Sequence, residues 1–192
     1  MSLGANMLLK YLGEQGDKTS IRAAAAVSPP FDLGRIARTF HLGSGRPYAA
    51  RFMKSLRYKA LRHANHNGSA IDVDRLLKAK TMADFDDAVT APLHGFRDAD
   101  DYYARNSSRQ FLPGIRVPTL VMRALDDPFF GSDVPHLALA ANDKLLPALG
   151  PHGGHVAFAE GIWPRRFSYW AERQAAQFLS HFLRDSNSVL LK

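Results

Sequence analysis

Three residue types in this chain could together do acyl-transfer chemistry, and they occur in a telling order. Ser2 stands directly ahead of an apolar helical stripe. The pair Asp126-Asp127 follows the most β-branched apolar run, and His152 and His155 follow the next run, in "PHGGHVAF". A serine hydroxyl is a poor nucleophile until a neighbouring imidazole accepts its proton. The imidazole in turn needs a carboxylate that fixes its tautomer and stabilises its charged form. The opening "MSLGAN" reads as the second half of a Gly-x-Ser-x-Gly turn, a sharp bend that lifts the serine oxygen above a helix N-terminus. Backbone N–H groups there can hold a developing oxyanion. Gly4 and Ala5 are small, which would relieve crowding between this turn and a strand.

Taken singly, each signal has an ordinary explanation. Serine is common at position 2, an Asp-Asp pair usually marks a solvated turn, and Gly-Gly-His can be a structural turn. Two glycines do free the backbone to carry an imidazole over another loop. The weight lies in the order Ser, Asp, His on successive elements, and on the residues alone Asp126 and Asp127 are equal candidates for the acid.

The elements that must position them follow from periodicity. Ala5, Leu8, Leu9 and Leu12 fall at i, i+3, i+4 and i+7, the stripe of a buried helix. "IRAAAAV" (Ile21 to Val27) reads as a short buried strand stopped by Pro29-Pro30. "VPTLVMRA" (Val117 to Ala124) is the clearest strand, and "DKLLPALG" is another whose Pro147 assigns it to a sheet edge. Between them, Asp32 to about Thr90 carries helical spacing and no strand pattern. "DADDYYARNSS" adds a short helix capped by Asp98, "HLALAA" another, and "WPRRFSYWAERQAAQFLSHFL" a long closing helix with Phe167, Trp170, Ala171, Gln174 and Phe178 along one side. Helices alternating with strands predict an α/β fold with a parallel sheet, in which sites gather at the carboxyl ends of the strands. The expected organisation is one domain over 1–192 with a helical cap or insertion at 32–96.

With 192 residues and 46% hydrophobic composition, the chain can bury a real core. It contains no cysteine, which removes thiolate nucleophiles, thiolate metal sites and disulfides. The 25 basic and 18 acidic residues give +7. These charges are scattered in small clusters such as Arg51/Lys54/Arg57/Lys59 and Arg165-Arg166, without interleaved stacking aromatics, so a solvated helix face is expected rather than a nucleic-acid partner. The histidine pairs His63/His66 and His152/His155 lack an obvious third ligand, and no metal or other cofactor is expected.

The blocks "SLGANMLLKYLGE", "TAPLHGFRDADDYYARNSS", "VPTLVMRALDDPFF" and "HGGHVAFAEG" resemble the YheT-like branch of the α/β-hydrolase superfamily, in order and over nearly the whole chain. These are bacterial esterases related to eukaryotic α/β-hydrolase-domain lipases and phospholipases. The resemblance implies the C-terminal part of an α/β-hydrolase fold, beginning at the nucleophile elbow. It places the nucleophile on Ser2, the base on His155 and the acid on Asp127, directly before Pro128, with Asp126 the competing choice. The Leu3 N–H would donate to the oxyanion, Asn6 would brace nearby loops, and His152 would have a supporting role. Expected with it are a short-chain or lipid ester substrate, cytoplasmic location and an acyl pocket shaped by the helical insertion, with Phe129 and Phe130 near the acid loop. Peripheral membrane contact stays open, and nothing sets the oligomeric state.

The family elbow carries a glycine two residues before its serine, and many members have glycine where Ala5 stands. Strands upstream of the elbow, and the loop that supplies a second oxyanion donor, have no counterpart in these residues. A second expectation therefore stands beside the esterase: a catalytically weak or inactive hydrolase fold serving as a binding module. A third, an N-terminal nucleophile in which the α-amine of Ser2 is its own base, explains much less of the chain.

Overall fold

The computed structural model describes residues 1–42, 45–64, 71–131, 134–156, 158–161 and 168–187, the last four of these by backbone alone. His66, Arg165, Arg166 and Phe167 lie outside the described residues. In chain order the elements are α1 (Leu3–Gln15), β1 (Ala24–Val27), α2 (Leu33–Thr39), α3 (Arg46–Ala64), α4 (Val73–Lys78) and α5 (Met82–Phe85). A π-helical turn (Asp86–Thr90) leads into α6 (Ala91–Leu93) and α7 (Ala99–Asn106), followed by a 3-10 segment (Ser108–Gly114). Then come β2 (Thr119–Ala124), α8 (His136–Ala140), β3 (Leu145–Gly150), β4 (Ala159–Glu160), β5 (Ser168–Tyr169) and α9 (Trp170–Asn187).

Contacts divide the chain into two units, Met1–Phe31 with Ser108–Lys192, and Asp32–Ser107. The first is α/β. Its parallel sheet has the order β1-β2-β3, with Val27 opposite Met122 and Ala124 opposite Gly150. Pro147 opposes Val121 on β3, an edge strand, where a missing N–H costs no ladder bond on the open side. Both faces are covered, as parallel sheets require. Ala24, Ala26 and Val121 meet Ala5, Leu9 and Leu12 of α1 on one face. Val27, Met122 and Ala124 meet Phe158 and Ala171 on the other. The alanine run of β1 thus serves close packing more than β propensity.

Glycines set one close approach. A Cβ on Gly13 would lie 2.1 Å from the Phe111 carbonyl oxygen, and one on Gly114 would lie 2.3 Å from that of Gly13. The last turn of α1 and the 3-10 segment therefore touch backbone to backbone. Gly16, at φ 53, ends α1 in the left-handed region. The expected closing helix begins only at Trp170, because Ser168–Tyr169 pair antiparallel with Ala159–Glu160.

The second unit is helical and takes in α7, so it runs to Ser107 rather than to 96. Local sequence caps it repeatedly. The side chains of Asp32, Asp72 and Asp98 accept from the third amide along at 2.9, 3.0 and 2.8 Å. Thr81 and Asp84 form a reciprocal capping box on α5. Each such cap is worth about 1 kcal/mol. Met53, Ala60, Leu76 and Phe85 form one core here, and Leu33, Ala37, Ala99 and Tyr103 another.

Candidate active site

Ser2, Leu3, Asp126, Asp127, His152 and His155 lie at the carboxyl ends of the three parallel strands. Ser2 is held to the end of β1 by its N–H, which donates to the Val27 carbonyl at 2.9 Å. Its backbone has φ 50 and ψ −130, a conformation that L residues rarely adopt. Such strain costs on the order of 1–3 kcal/mol and persists only where surroundings impose it. Here the imposition comes from two sides, the Val27 contact and the start of α1, whose buried Ala5, Leu9 and Leu12 fix the helix axis. The turn aims Ser2 Oγ at His155 Nε2, 3.0 Å away. Leu3 opens α1, so its N–H belongs to the group that a helix leaves without an intrahelical acceptor.

The two adjacent aspartates have separate partners. Asp127 is 2% exposed, and its Oδ2 lies 2.8 Å from His155 Nδ1. Its Oδ1 accepts the N–H groups of Phe129 (2.9 Å) and Phe130 (3.2 Å). A proton on Nδ1 satisfies Asp127 and leaves the Nε2 lone pair for the Ser2 hydroxyl. Asp126 faces outward instead, accepts the Gly154 N–H at 2.9 Å and lies 3.4 Å from His152 Nδ1. The Gly154 amide leads the causes that hold the Asp126 carboxyl below its ordinary pKa. Asp126 therefore ties down the histidine loop, while Asp127 meets the imidazole.

The glycines of that loop have distinct reasons. A Cβ on Gly153 would lie 2.5 Å from the Phe158 ring, and Gly154 has φ 67. The Phe129 and Phe130 rings stand edge-on to the imidazole, with centroids 4.8 and 4.7 Å away. They wall the base on its flanks and restrict its rotation. Asn6 is buried in α1, and its Oδ1 accepts the Ser108 N–H at 2.8 Å, which anchors the 3-10 segment to the helix that carries Ser2.

No family model matches the chain. Among curated proteins it is 33% identical over 191 residues to the monoacylglycerol lipase of Saccharomyces cerevisiae, covering 94% of this chain and 41% of the relative. It is 32% identical over 195 residues to phospholipase ABHD3 of Mus musculus, covering 98% and 46%. It is 34% identical over 190 residues to YheT of Escherichia coli, covering 95% and 54%. The chain belongs to the YheT-like α/β-hydrolases. It spans about half the length of these curated relatives.

Within this YheT-like chain the structure adds one residue that the sequence analysis did not name. Arg123 lies on β2 with 0% exposure, a cation among apolar neighbours. It donates to the carbonyls of Pro29 and Gly131, both at 2.9 Å, and its Nε lies 3.9 Å from Asp127 Oδ2. The loops after β1 and β2 are thereby tied to one guanidinium beside the acid. The only available signal was an arginine inside an otherwise apolar strand.

One expectation needs correction. A Cβ on Gly4 would meet nothing within 4 Å, so relief of crowding is not what this glycine supplies. The tight position is Ala5, at 1% exposure. Among the described residues no group of three or more His, Asp or Glu is arranged to hold a metal ion. No described helix is long and apolar enough to cross a membrane.

Proposed function

We propose that this chain carries the Ser-His-Asp machinery of a carboxylic-ester hydrolase, with Ser2 as nucleophile, His155 as base and Asp127 as the acid that orients it. The observation that carries the reading is the continuous hydrogen-bonded path from Asp127 Oδ2 through both imidazole nitrogens to Ser2 Oγ. Relatives named as lipase and phospholipase support ester substrates, lipid esters among them.

In the reaction, Ser2 Oγ attacks the acyl carbon as His155 Nε2 takes the hydroxyl proton. The carbonyl π electrons move onto oxygen, and the Leu3 N–H donates to that oxyanion; one such donor is worth about 10²–10³ in turnover. Collapse breaks the C–O bond to the alcohol, which leaves with the proton from His155. Water then attacks the acyl-enzyme, again losing its proton to His155, and the acid departs as Ser2 recovers that proton. Asp127 holds the imidazolium in place throughout and stays unprotonated.

Fluorophosphonate labelling of the purified chain, read by mass spectrometry, tests the proposal. An adduct on Ser2 that disappears in both Ser2→Ala and His155→Ala is the expected result. A folded, monodisperse chain that forms no adduct would overturn the reading and leave a hydrolase fold without its chemistry.

A further inference from the structure

The helical unit contains a cavity of about 440 Å³ lined by its own residues, and that lining is one-sided in charge. Arg46, Lys54, Arg57 and Lys80 line it together with His41, and no Asp or Glu does. On α3 the residues Arg46, Ala50, Lys54 and Arg57 follow one another at helical spacing, so a single stripe of the helix forms this wall. Over its whole length α3 has six Lys or Arg and no acidic residue. Like charges at such spacing repel, and an anion held among them would relieve that repulsion.

Two further observations point to a ligand. Arg57 Nε and His41 Nδ1 are buried nitrogens that lack a hydrogen-bond partner. A buried N–H without an acceptor destabilises the fold, and an acceptor in the cavity would remove that cost. Arg57 is already fixed in place, because its Nη2 donates to the Ala79 carbonyl at the end of α4. The nearby carboxylate of Asp84 acts on His41 through its charge, but its Oδ2 is taken by the amides of Lys80 and Thr81, and it makes no hydrogen bond to either nitrogen.

We propose that this cavity is a binding site for the phosphate group of an organic phosphate. Four cations and the unused Arg57 Nε–H suit a dianion with several acceptor oxygens better than a single carboxylate. Apart from Thr81 the rest of the lining is apolar, with Phe40, Met53 and Met82, which leaves room for the organic part. Phe40 also stands edge-on to the exposed rings of Tyr48 and Phe52, at 6.0 and 6.1 Å. Cations beside exposed aromatics match the headgroup region of an anionic lipid, and a soluble phosphate ester presents the same group.

Glycerol 3-phosphate titrated into the chain by calorimetry is the direct probe. Saturable one-site binding is expected, weakened about ten-fold or more in Arg46→Ala/Lys54→Ala. Arg51→Ala/Lys59→Ala removes equal charge from the same helix outside the cavity and should change the affinity less than about two-fold. Both pairs are exposed, and circular dichroism checks that the helix survives. Sedimentation with phosphatidylcholine vesicles, with and without phosphatidic acid, separates the sources. Binding to phosphatidic acid that glycerol 3-phosphate displaces assigns the lipid; glycerol 3-phosphate binding without vesicle binding assigns the soluble ester. Equal weakening by the two double variants, or oligonucleotide binding that both impair alike, would mean a diffuse basic face and overturn the site. So would the absence of saturation.

Discussion

The two units each bury a carboxylate, and the surroundings of Asp127 and Asp86 differ in kind. Asp127 is met by two backbone N–H groups, an imidazole and, at 3.9 Å, a buried guanidinium. Among the described residues Asp86, in the π-helical turn, is met by two hydroxyls: Tyr103 donates to Oδ2 at 2.7 Å and Thr90 to Oδ1 at 2.5 Å. Burial pushes the Asp86 carboxyl above its ordinary pKa against those two hydrogen bonds, and burial, with Asp86 beside it, pushes the Tyr103 phenol up as well. Hydroxyls can serve a neutral carboxyl as well as a charged one, whereas a guanidinium and an imidazole reward only the charge. A buried acid alone is therefore no mark of chemistry; its partners decide.

The sharpest way to break this contrast is the same substitution at both sites. Asp127→Asn keeps the shape but offers the imidazole an amide, which favours the wrong tautomer. Hydrolysis of an activated ester should fall by about 10⁴, and the thermal midpoint should fall too, because the variant leaves the buried Arg123 without its nearby charge. Asp86→Asn should leave that rate untouched. Comparable rates for wild type and Asp127→Asn would remove Asp127 from the chemistry, whatever its distance to His155.

Arg123 gives the next largest effect, because it belongs to the fold and to the acid at once. Arg123→Gln cannot reach both the Pro29 and Gly131 carbonyls, and it leaves Asp127 without its nearby cation. Loss of a buried charged partner costs about 3–5 kcal/mol, which chemical denaturation would register. If Arg123 also positions the acid, kcat should drop in the surviving folded fraction with little change in KM. Arg123→Lys restores a charge without the two-carbonyl fork and should recover part of kcat but little stability. A loss of stability with kcat intact would confine Arg123 to the fold.

These contrasts also separate what was legible in the sequence from what was not. The order Ser2, Asp126-Asp127, His155 was legible because each follows or precedes a periodic element, and parallel strands bring such ends together. Which aspartate faces the imidazole was not legible from the residues alone, since adjacent residues in one turn differ only in direction; the family resemblance was what favoured Asp127. Arg123 was hidden for another reason: its firm partners are backbone carbonyls of Pro29 and Gly131, which leave no trace in side-chain pattern. Val117 to Ala124 read correctly as a strand because β-branched and apolar residues dominate it, whereas the alanines of β1 become a strand through pairing with β2. Ser168–Tyr169 read as helix by periodicity and are extended because Ala159–Glu160 offer them a partner. The cavity of the helical unit needed coordinates, since its cations come from α3 and from Lys80, far apart in sequence.

The smallest predicted effect concerns Asp86 and is a matter of sign. Its folded pKa is raised, while its unfolded value is near about 3.9. Between those two values the folded chain binds the proton more than the unfolded one does. Stability from this group therefore falls as pH rises through the window, and the full destabilisation stands above the folded pKa. Asp84 and Asp98, whose carboxyls are held below their ordinary range by amide and Arg97 partners, act in the opposite direction at lower pH. Asp86→Asn removes one contribution and keeps the others, at the expense of one acceptor for Tyr103 or Thr90. The difference in thermal midpoint between wild type and variant should accordingly shift in favour of wild type as pH is lowered from 7 toward 4. Parallel midpoint curves over that range would show that the hydroxyls stabilise the charged carboxylate after all, and the contrast with Asp127 would then rest on Arg123 and His155 alone.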